Sequence, residues 1–397
     1  MISVEEAKHI ILNSTQDFGV EEIPFIKSVG RILKETIVAD RDFPPFNRVS
    51  MDGIAIDFNA FQKGQREFKV EGIQPAGSPQ ISLQNSENCI EVMTGAVLPK
   101  NTNAVIRYED VEIKNGVARI MINEVLDFQN IHVKGKDRKV GEILIEKNTI
   151  ISAAEIGVFA TVGKSTIKVA KQPKIMILST GDELVAVNDK PEEHQIRRSN
   201  VFTLVAALEH LKIESETSHI TDDKPILKQK IAQFLNDYDV LLCSGAVSKG
   251  KFDFLPEVFD ELGVEKRFHR VAQRPGKPFW MGETNACKVF AFPGNPISTF
   301  VNCLAYFYPW YYKSVGVKTK EETAILTEDV TFKPNLTYFL QVKLSDKFGH
   351  TLATPIKGNG SGDLASLVNA DAFVQLPKTE ETVYKQGEVF GIIKYRL

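Results

Sequence analysis

Between residues 239 and 296 the sequence gathers the residue types that hold and process an anion. A buried-strand pattern over 239–243 runs into Ser244, Gly245, Ser248 and Gly250, small residues that let backbone amides turn outward. Asp253 adds a carboxylate, and Arg274 and Lys277 stand on either side of Pro275 and Gly276 in a stiffened, basic RPGKP run. A second strand then ends in Pro293, Gly294, Asn295 and Pro296. Amides, a carboxylate and two cations in one stretch point to an enzyme that handles a phosphate or oxyanion. SGAVSKGK lacks the G-x-x-x-x-G-K-[ST] spacing of an ATPase phosphate loop, so ordinary ATP hydrolysis is not indicated.

Upstream lie two acidic groups. STGDEL carries Ser179, Thr180, Gly181, Asp182 and Glu183, and TDD carries Asp222 and Asp223. With Asp253, these carboxylates are of the kind that hold Mg²⁺ together with water and substrate phosphate. Taken singly, an Asp after a strand caps a helix or turn; taken together beside Arg274 and Lys277, they favour the metal reading. A solvated surface loop is the alternative for the RPGKP cations, and Lys249 and Lys251 tilt the balance toward anion binding. The histidines show no H-E-x-x-H spacing, and no G-x-S-x-G nucleophile motif occurs.

These residues need elements to position them. Ser3 with Glu6 forms a capping box before Val4, Ala7, Ile10 and Ile11, which predicts an amphipathic opening helix. Strand signals fill 68–122, with Asn115-Gly116 marking a hairpin. Ser152 and Glu155 open a second helix that ends near Gly163. From Pro173 onward strands alternate with helices, which predicts a mainly parallel sheet covered on both faces. STGDEL, TDD, SGAVSKG and FPGNP each follow a predicted strand, so they should converge on the carboxyl rim where open α/β sheets bind ligands. The aromatic run 300–312 reads as packing on a helix. A strand-rich tail with Gly and Pro turns predicts a small β-barrel or sandwich. The resulting multidomain α/β layout is 1–45 plus 140–172 as a helix and linking domain, 46–139 as a β-rich insert, 173–320 as the α/β domain and 321–397 as the barrel.

The 397 residues exceed one hydrophobic core. A net charge of −3 gives no argument for general nucleic-acid or membrane binding, so any anion is held locally. The four cysteines are scattered without a C-x-x-C pair, which fits a reducing compartment. With no signal-peptide pattern and no membrane-length apolar run, a cytoplasmic location is expected.

SMDG (50–53), MTGAVLP (93–99), Asp137 within GKDRKVGE, STGDEL, TDD, SGAVSKGKFD, RPGKP and FPGNP, in this order, resemble the molybdopterin molybdenumtransferase family, the MoeA proteins that also form the C-terminal half of gephyrin. The match covers nearly the whole chain. The resemblance implies a MogA-like α/β domain that binds adenylated molybdopterin supplied by an adenylyltransferase. Molybdate binds beside it, and a divalent cation, Mg²⁺, assists release of AMP as molybdenum joins the dithiolene. It implies roles around the cation for Glu183, Asp223 and Asp253, and handling of molybdate or phosphate by Arg274, Lys277 and Ser361, with Ser366 in the same loop. It implies an elongated homodimer in which Asp52, Thr94 and Asp137 act in trans.

Several positions depart from the family pattern. Arg198 stands where the family often has Asp, Ala246 replaces a Gly, Arg274 a Lys and Glu91 an Arg. Gln341 stands where an Arg is frequent near molybdate, and Lys343, two residues on, is expected to supply the missing charge. The competing readings are a molybdopterin-binding scaffold and the adenylyltransferase itself.

Overall fold

The computed structural model describes residues 1–247 and 253–396, and divides them into two compact units. The first comprises Met1–Lys34, Asn148–Ser152 and the chain from Thr166 onward. Its centre is a six-stranded sheet in the order Ser215–Ile220, Ile175–Thr180, Val240–Ser244, Lys288–Phe292, Trp280–Glu283, Glu265–His269. The first four strands run parallel, Trp280–Glu283 runs against them, and Glu265–His269 pairs antiparallel with Trp280–Glu283. The apolar runs of the central strands are continuous because both faces are covered. Ile175, Ile177, Val240, Leu242, Phe290 and Phe292 pack with residues of the helices Val4–Asn13, Asn200–His210 and Pro296–Asn302. The alternate residues Met176, Leu178, Leu241, Cys243, Val289 and Ala291 pack with Lys224–Asp237 and Leu255–Glu261. At about 1.5–3 kcal/mol for each large side chain taken out of water, this double-sided core holds the parallel strands in register. It therefore holds their carboxyl ends on one edge.

The opening helix carries the predicted capping box, with Ser3 and Glu6 exchanging hydrogen bonds. The aromatic segment is core: Phe307, Trp310 and Tyr311 are buried against Phe290 and its neighbours. The tail forms a closed barrel of Glu322–Leu326, Thr337–Lys347, His350–Pro355, Ala372–Leu376 and Val389–Lys394, closed by pairing of Thr337–Lys347 with Ala372–Leu376. Phe339 and Phe373 of the barrel join the same cluster as the sheet face, so barrel and sheet share apolar packing.

The second unit comprises Glu35–Lys147 and Ala153–Ser165. It holds a six-stranded sheet in the order Ala104–Arg107, Gly53–Ile56, Asn88–Val92, Glu67–Gln74, Val117–Ile120, Val111–Lys114. The predicted hairpin is present, with both Asn115 and Gly116 at positive φ as its two-residue turn requires. The helix after Ser152 spans Ala153–Thr161. No helix among the described residues is long and apolar enough to cross a membrane.

Candidate functional site

The four polar motifs meet at the carboxyl ends of the four parallel strands, around a cleft of about 600 Å³. Of the expected site residues, Ser179, Thr180, Gly181 and Glu183 line it from the first loop. Ser244, Gly245 and Asp253 line it from another, and Pro293, Asn295 and Pro296 from the last. Ser248, Lys249, Gly250 and Lys251 lie outside the described residues. Gly245 sits at φ +103° with Gly294 close beside it: a Cβ on Gly294 would stand 3.6 Å from the Gly245 Cα. At Gly245 it is the left-handed backbone, which L side chains rarely adopt, that calls for glycine.

One side chain ties three segments of the rim together. Asn200, at the first position of the helix Asn200–His210, donates to Ser244 Oγ at 2.9 Å, to the Gly294 carbonyl at 2.6 Å and to Thr299 Oγ1 at 3.3 Å. Thr299 in turn donates to the Pro293 carbonyl at 2.6 Å. Sequence reasoning missed Asn200; its place in the Arg198-Ser199-Asn200 run was the available signal. On the neighbouring strand, Ser179 Oγ lies 3.1 Å from His219 Nδ1. Burial, and next the charge of Arg198, lower the pKa of His219.

The acidic residues divide into two kinds. Asp222 lines the cleft, and its pKa is raised, first by burial and then by Asp182, Glu183 and Asp253. Asp182 accepts the Asp222 backbone N–H at 3.1 Å. Asp223, expected among the metal ligands, is instead the N-cap of Lys224–Asp237, its carboxylate accepting the Ile226 N–H at 2.9 Å. Of the two adjacent aspartates, Asp223 caps the helix and Asp222 lines the cleft. Among the described residues no three His, Cys, Asp or Glu side chains are grouped closely enough to hold a metal by themselves.

Arg274 and Lys277 are exposed and have no ion-pair partner among the described residues, and Pro278 next to them lines the cleft. Their loop, which includes Pro275, is shaped from below. Gly276 has φ +90°, and a Cβ there would come within 2.6 Å of Asn302 Oδ1 and 2.7 Å of Gln273 Nε2. Gln273 donates to the Pro275 carbonyl at 2.9 Å and to Asn302 Oδ1 at 2.8 Å, and accepts from the Tyr306 hydroxyl. Asn302 returns a bond to the Gly276 carbonyl at 3.2 Å.

Ser361 of the barrel loop accepts from Asn295 Nδ2 at 2.8 Å, joining that loop to the cleft rim. Ser366 is buried and donates to Gln341 Oε1 at 3.0 Å. Lys343, expected to replace the charge missing at Gln341, is mostly exposed and bonds Asp371 at 2.8 Å. Along this strand Gln341 is buried while Lys343 is exposed, so the two side chains do not share one environment, and Lys343 already has its counter-ion.

In the second unit, Asp52 accepts both the backbone N–H and the hydroxyl of Thr94, at 2.6 and 2.8 Å. The backbone bond and then the hydroxyl bond lower the pKa of this carboxyl. Asp137 lies 2.8 Å from His132 Nε2, and Arg48 Nη2 lies 3.1 Å from the other ring nitrogen. Arg48 can only donate, so Nδ1 accepts and Nε2–H donates to Asp137.

Comparison with known proteins places this arrangement. Three family models match in succession: the MoeA N-terminal region (domain I and II) over residues 2–163, a probable molybdopterin binding domain over 176–310, and the MoeA C-terminal region (domain IV) over 323–395. The chain is 39% identical to the molybdopterin molybdenumtransferase of Synechocystis sp., over 98% of this chain and 99% of that protein. It is 30% identical to the protein of the same name from Staphylococcus aureus strain Mu50, over 99% and 95%. The crystal structure of a molybdopterin biosynthesis MoeA protein from Pyrococcus horikosii superposes with a TM-score of 0.85 at 30% identity, covering 100% of both chains. With every motif in order and the similarity running end to end, the chain belongs to the molybdopterin molybdenumtransferase family.

Proposed function

We propose that this chain is a transferase of molybdenum cofactor biosynthesis that inserts molybdate into the dithiolene of adenylated molybdopterin and releases AMP. The observation that carries the reading is the cleft itself, where glycine loops, Asn200-braced hydroxyls and carboxylates meet at the ends of four parallel strands. Ser179, Thr180, Ser244, Gly245 and Asn295 would bind and orient the phosphate-bearing substrate. Arg274, Lys277, Ser361 and the Ser366–Gln341 pair would receive molybdate. No side chain is needed as a covalent nucleophile, since positioned charge suffices for attack at a phosphoanhydride.

Mg²⁺ is the proposed cation. Asp222, Glu183 and Asp253 fit it in kind: all three line the cleft, and Mg²⁺ takes one or two carboxylates and completes its shell with water and substrate phosphate. When bound, the cation would polarise the bridging phosphate and neutralise the leaving AMP. We further propose a cytoplasmic homodimer in which Asp52, Thr94 and Asp137 of one subunit complete the site of the other, with an adenylyltransferase as substrate donor.

The test is AMP release from adenylated molybdopterin, with and without molybdate and Mg²⁺, in wild type and Glu183→Ala. Release that needs both additions and is lost in the variant supports the reading. Release indifferent to molybdate, or none at all, overturns it in favour of a binding protein on the same fold. A monomeric mass in solution at micromolar concentration would overturn the shared-site arrangement.

A further inference from the structure

Two buried donors of the cleft have no hydrogen-bond partner among the described residues. Thr180 is only 5% exposed and lines the cleft, yet its hydroxyl is buried without a hydrogen-bond partner among the described residues. It lies near Gly245: a Cβ built there would be 3.5 Å from Thr180 Oγ1. Arg198 lines the same cleft; its Nε is also buried and unpartnered, and its guanidinium makes no ion pair among the described residues, although Glu183 and Asp222 line the same cavity. Arg198 is held by its backbone, which donates to the Val185 carbonyl at 3.1 Å. Immediately after it the helix Asn200–His210 begins with Ser199 giving no side-chain cap, and residues 198–201 all line the cleft.

A buried donor left unmatched costs stability, and an uncapped helix start adds amides and a positive dipole end to the same cleft. The Asn200 amide nitrogen is committed to Ser244, Gly294 and Thr299, so it adds no free donor here. All three features call for an acceptor that the described residues do not supply.

We propose that Arg198, the Thr180 hydroxyl and the first-turn amides of Asn200–His210 form a phosphate subsite, and that Arg198 is a specificity-determining residue of this chain. The ligand class is a phosphate ester, and the inference rests on the reading that this cleft holds the phosphorylated substrate. The phosphate could be that of the adenylate or the phosphomonoester of the pterin side chain; either supplies the acceptors that these donors lack.

Titration calorimetry of the full chain with AMP and, separately, with inorganic phosphate tests the idea. The proteins are wild type, Arg198→Ala, Arg198→Lys and Thr180→Val, each first checked for a melting midpoint no lower than that of wild type. We expect Arg198→Ala to weaken binding by about tenfold or more and to reduce its salt dependence, with Arg198→Lys intermediate because it keeps the charge but loses the planar fork. Thr180→Val should weaken binding several-fold. Loss confined to AMP assigns the subsite to the adenylate; loss for both ligands assigns it to any phosphate. Affinities within twofold of wild type in Arg198→Ala, or no binding of either probe by wild type, overturn the proposal. The transfer reaction is measured in parallel: intact AMP release with unchanged phosphate affinity in Arg198→Ala sinks the subsite alone. Arg198-dependent phosphate binding without molybdate-dependent release in wild type sinks the transferase reading and leaves the subsite standing.

Discussion

Asn200 Nδ2 stands 2.9 Å from Ser244 Oγ, and through the same amide it reaches the Gly294 carbonyl at 2.6 Å. A residue at the start of one helix thus sets the distance between two loops that belong to other strands. Asn200→Ala removes these bonds and leaves the buried Ser244 hydroxyl short of a donor, so we expect a loss of about 1–3 kcal/mol. Urea unfolding gives the stability, and AMP release the function. If stability falls and release per folded molecule does not, the brace is structural only.

The two aspartates of TDD should separate in experiment. Asp223→Ala removes a helix cap and should cost about 1 kcal/mol with little change in transfer, because its carboxylate is turned to the Ile226 N–H. Asp222→Asn should abolish transfer yet stabilise the fold at neutral pH. The sign follows from its raised pKa: the folded state holds the proton more tightly than the unfolded chain does. Relative to the Asn variant, wild type therefore loses stability as pH rises from the unfolded carboxylate value through the higher folded one. Chemical unfolding of both proteins from acid to neutral pH checks it; parallel curves would contradict the shift.

Asp52 carries the opposite sign. The Thr94 N–H and hydroxyl favour its ionised form, so its contribution is present above the ordinary carboxylate value and is lost as pH falls through the lower folded one. Thr94→Val keeps the backbone bond, the larger cause, and removes the hydroxyl. A carboxyl titration by NMR should show Asp52 moving part of the way back up; an unmoved titration would mean the hydroxyl bond does not persist in solution.

Ala246 lies at φ +53°, in the left-handed region, next to Gly245. Ala246→Gly relieves the Cβ clash, worth about 1–2 kcal/mol, and gives part of it back in chain entropy. A net gain of about 0.5–1 kcal/mol is expected from these opposing terms, visible as a raised melting midpoint. A lower midpoint would show that the methyl packs usefully.

Lys343 is paired with Asp371 at the barrel surface. Lys343→Ala should cost at most about 1 kcal/mol and leave the apparent affinity for molybdate unchanged. Ser366→Ala, which breaks the buried bond to Gln341, should weaken it. Steady-state transfer at varied molybdate distinguishes them, and the reverse order of effects would restore Lys343 as the replacement charge.

The rim was legible in the sequence because its cause is local. Short continuous apolar runs at 175–178, 240–243 and 289–292, alternating with helical patterns, read as strands buried on both faces, and each ends in polar loop residues, which places those residues on the ligand-binding edge. What stayed hidden depends on contacts distant in the chain. Asn200 bonds partners 44 and 94 positions away. Lys343 finds Asp371 after 28 residues, which no period-two argument along one strand could reveal. Asp222 and Asp223 are identical in type, and only the backbone turn before Lys224 decides which one caps and which one lines the cleft.

The knot of Gln273, Asn302 and Tyr306 beneath the RPGKP loop bears on how the protein could be re-engineered. The loop looks portable, a handful of residues with two cations on display, but its curvature is inherited from a helix that begins more than twenty positions later. A chimera that exchanged residues 274–278 alone would install the charges on a template cut for another shape. Altered oxyanion preference would then have to travel as a block, with 273, 302 and 306 moving together, and relatives that differ at one of these positions should differ at the others.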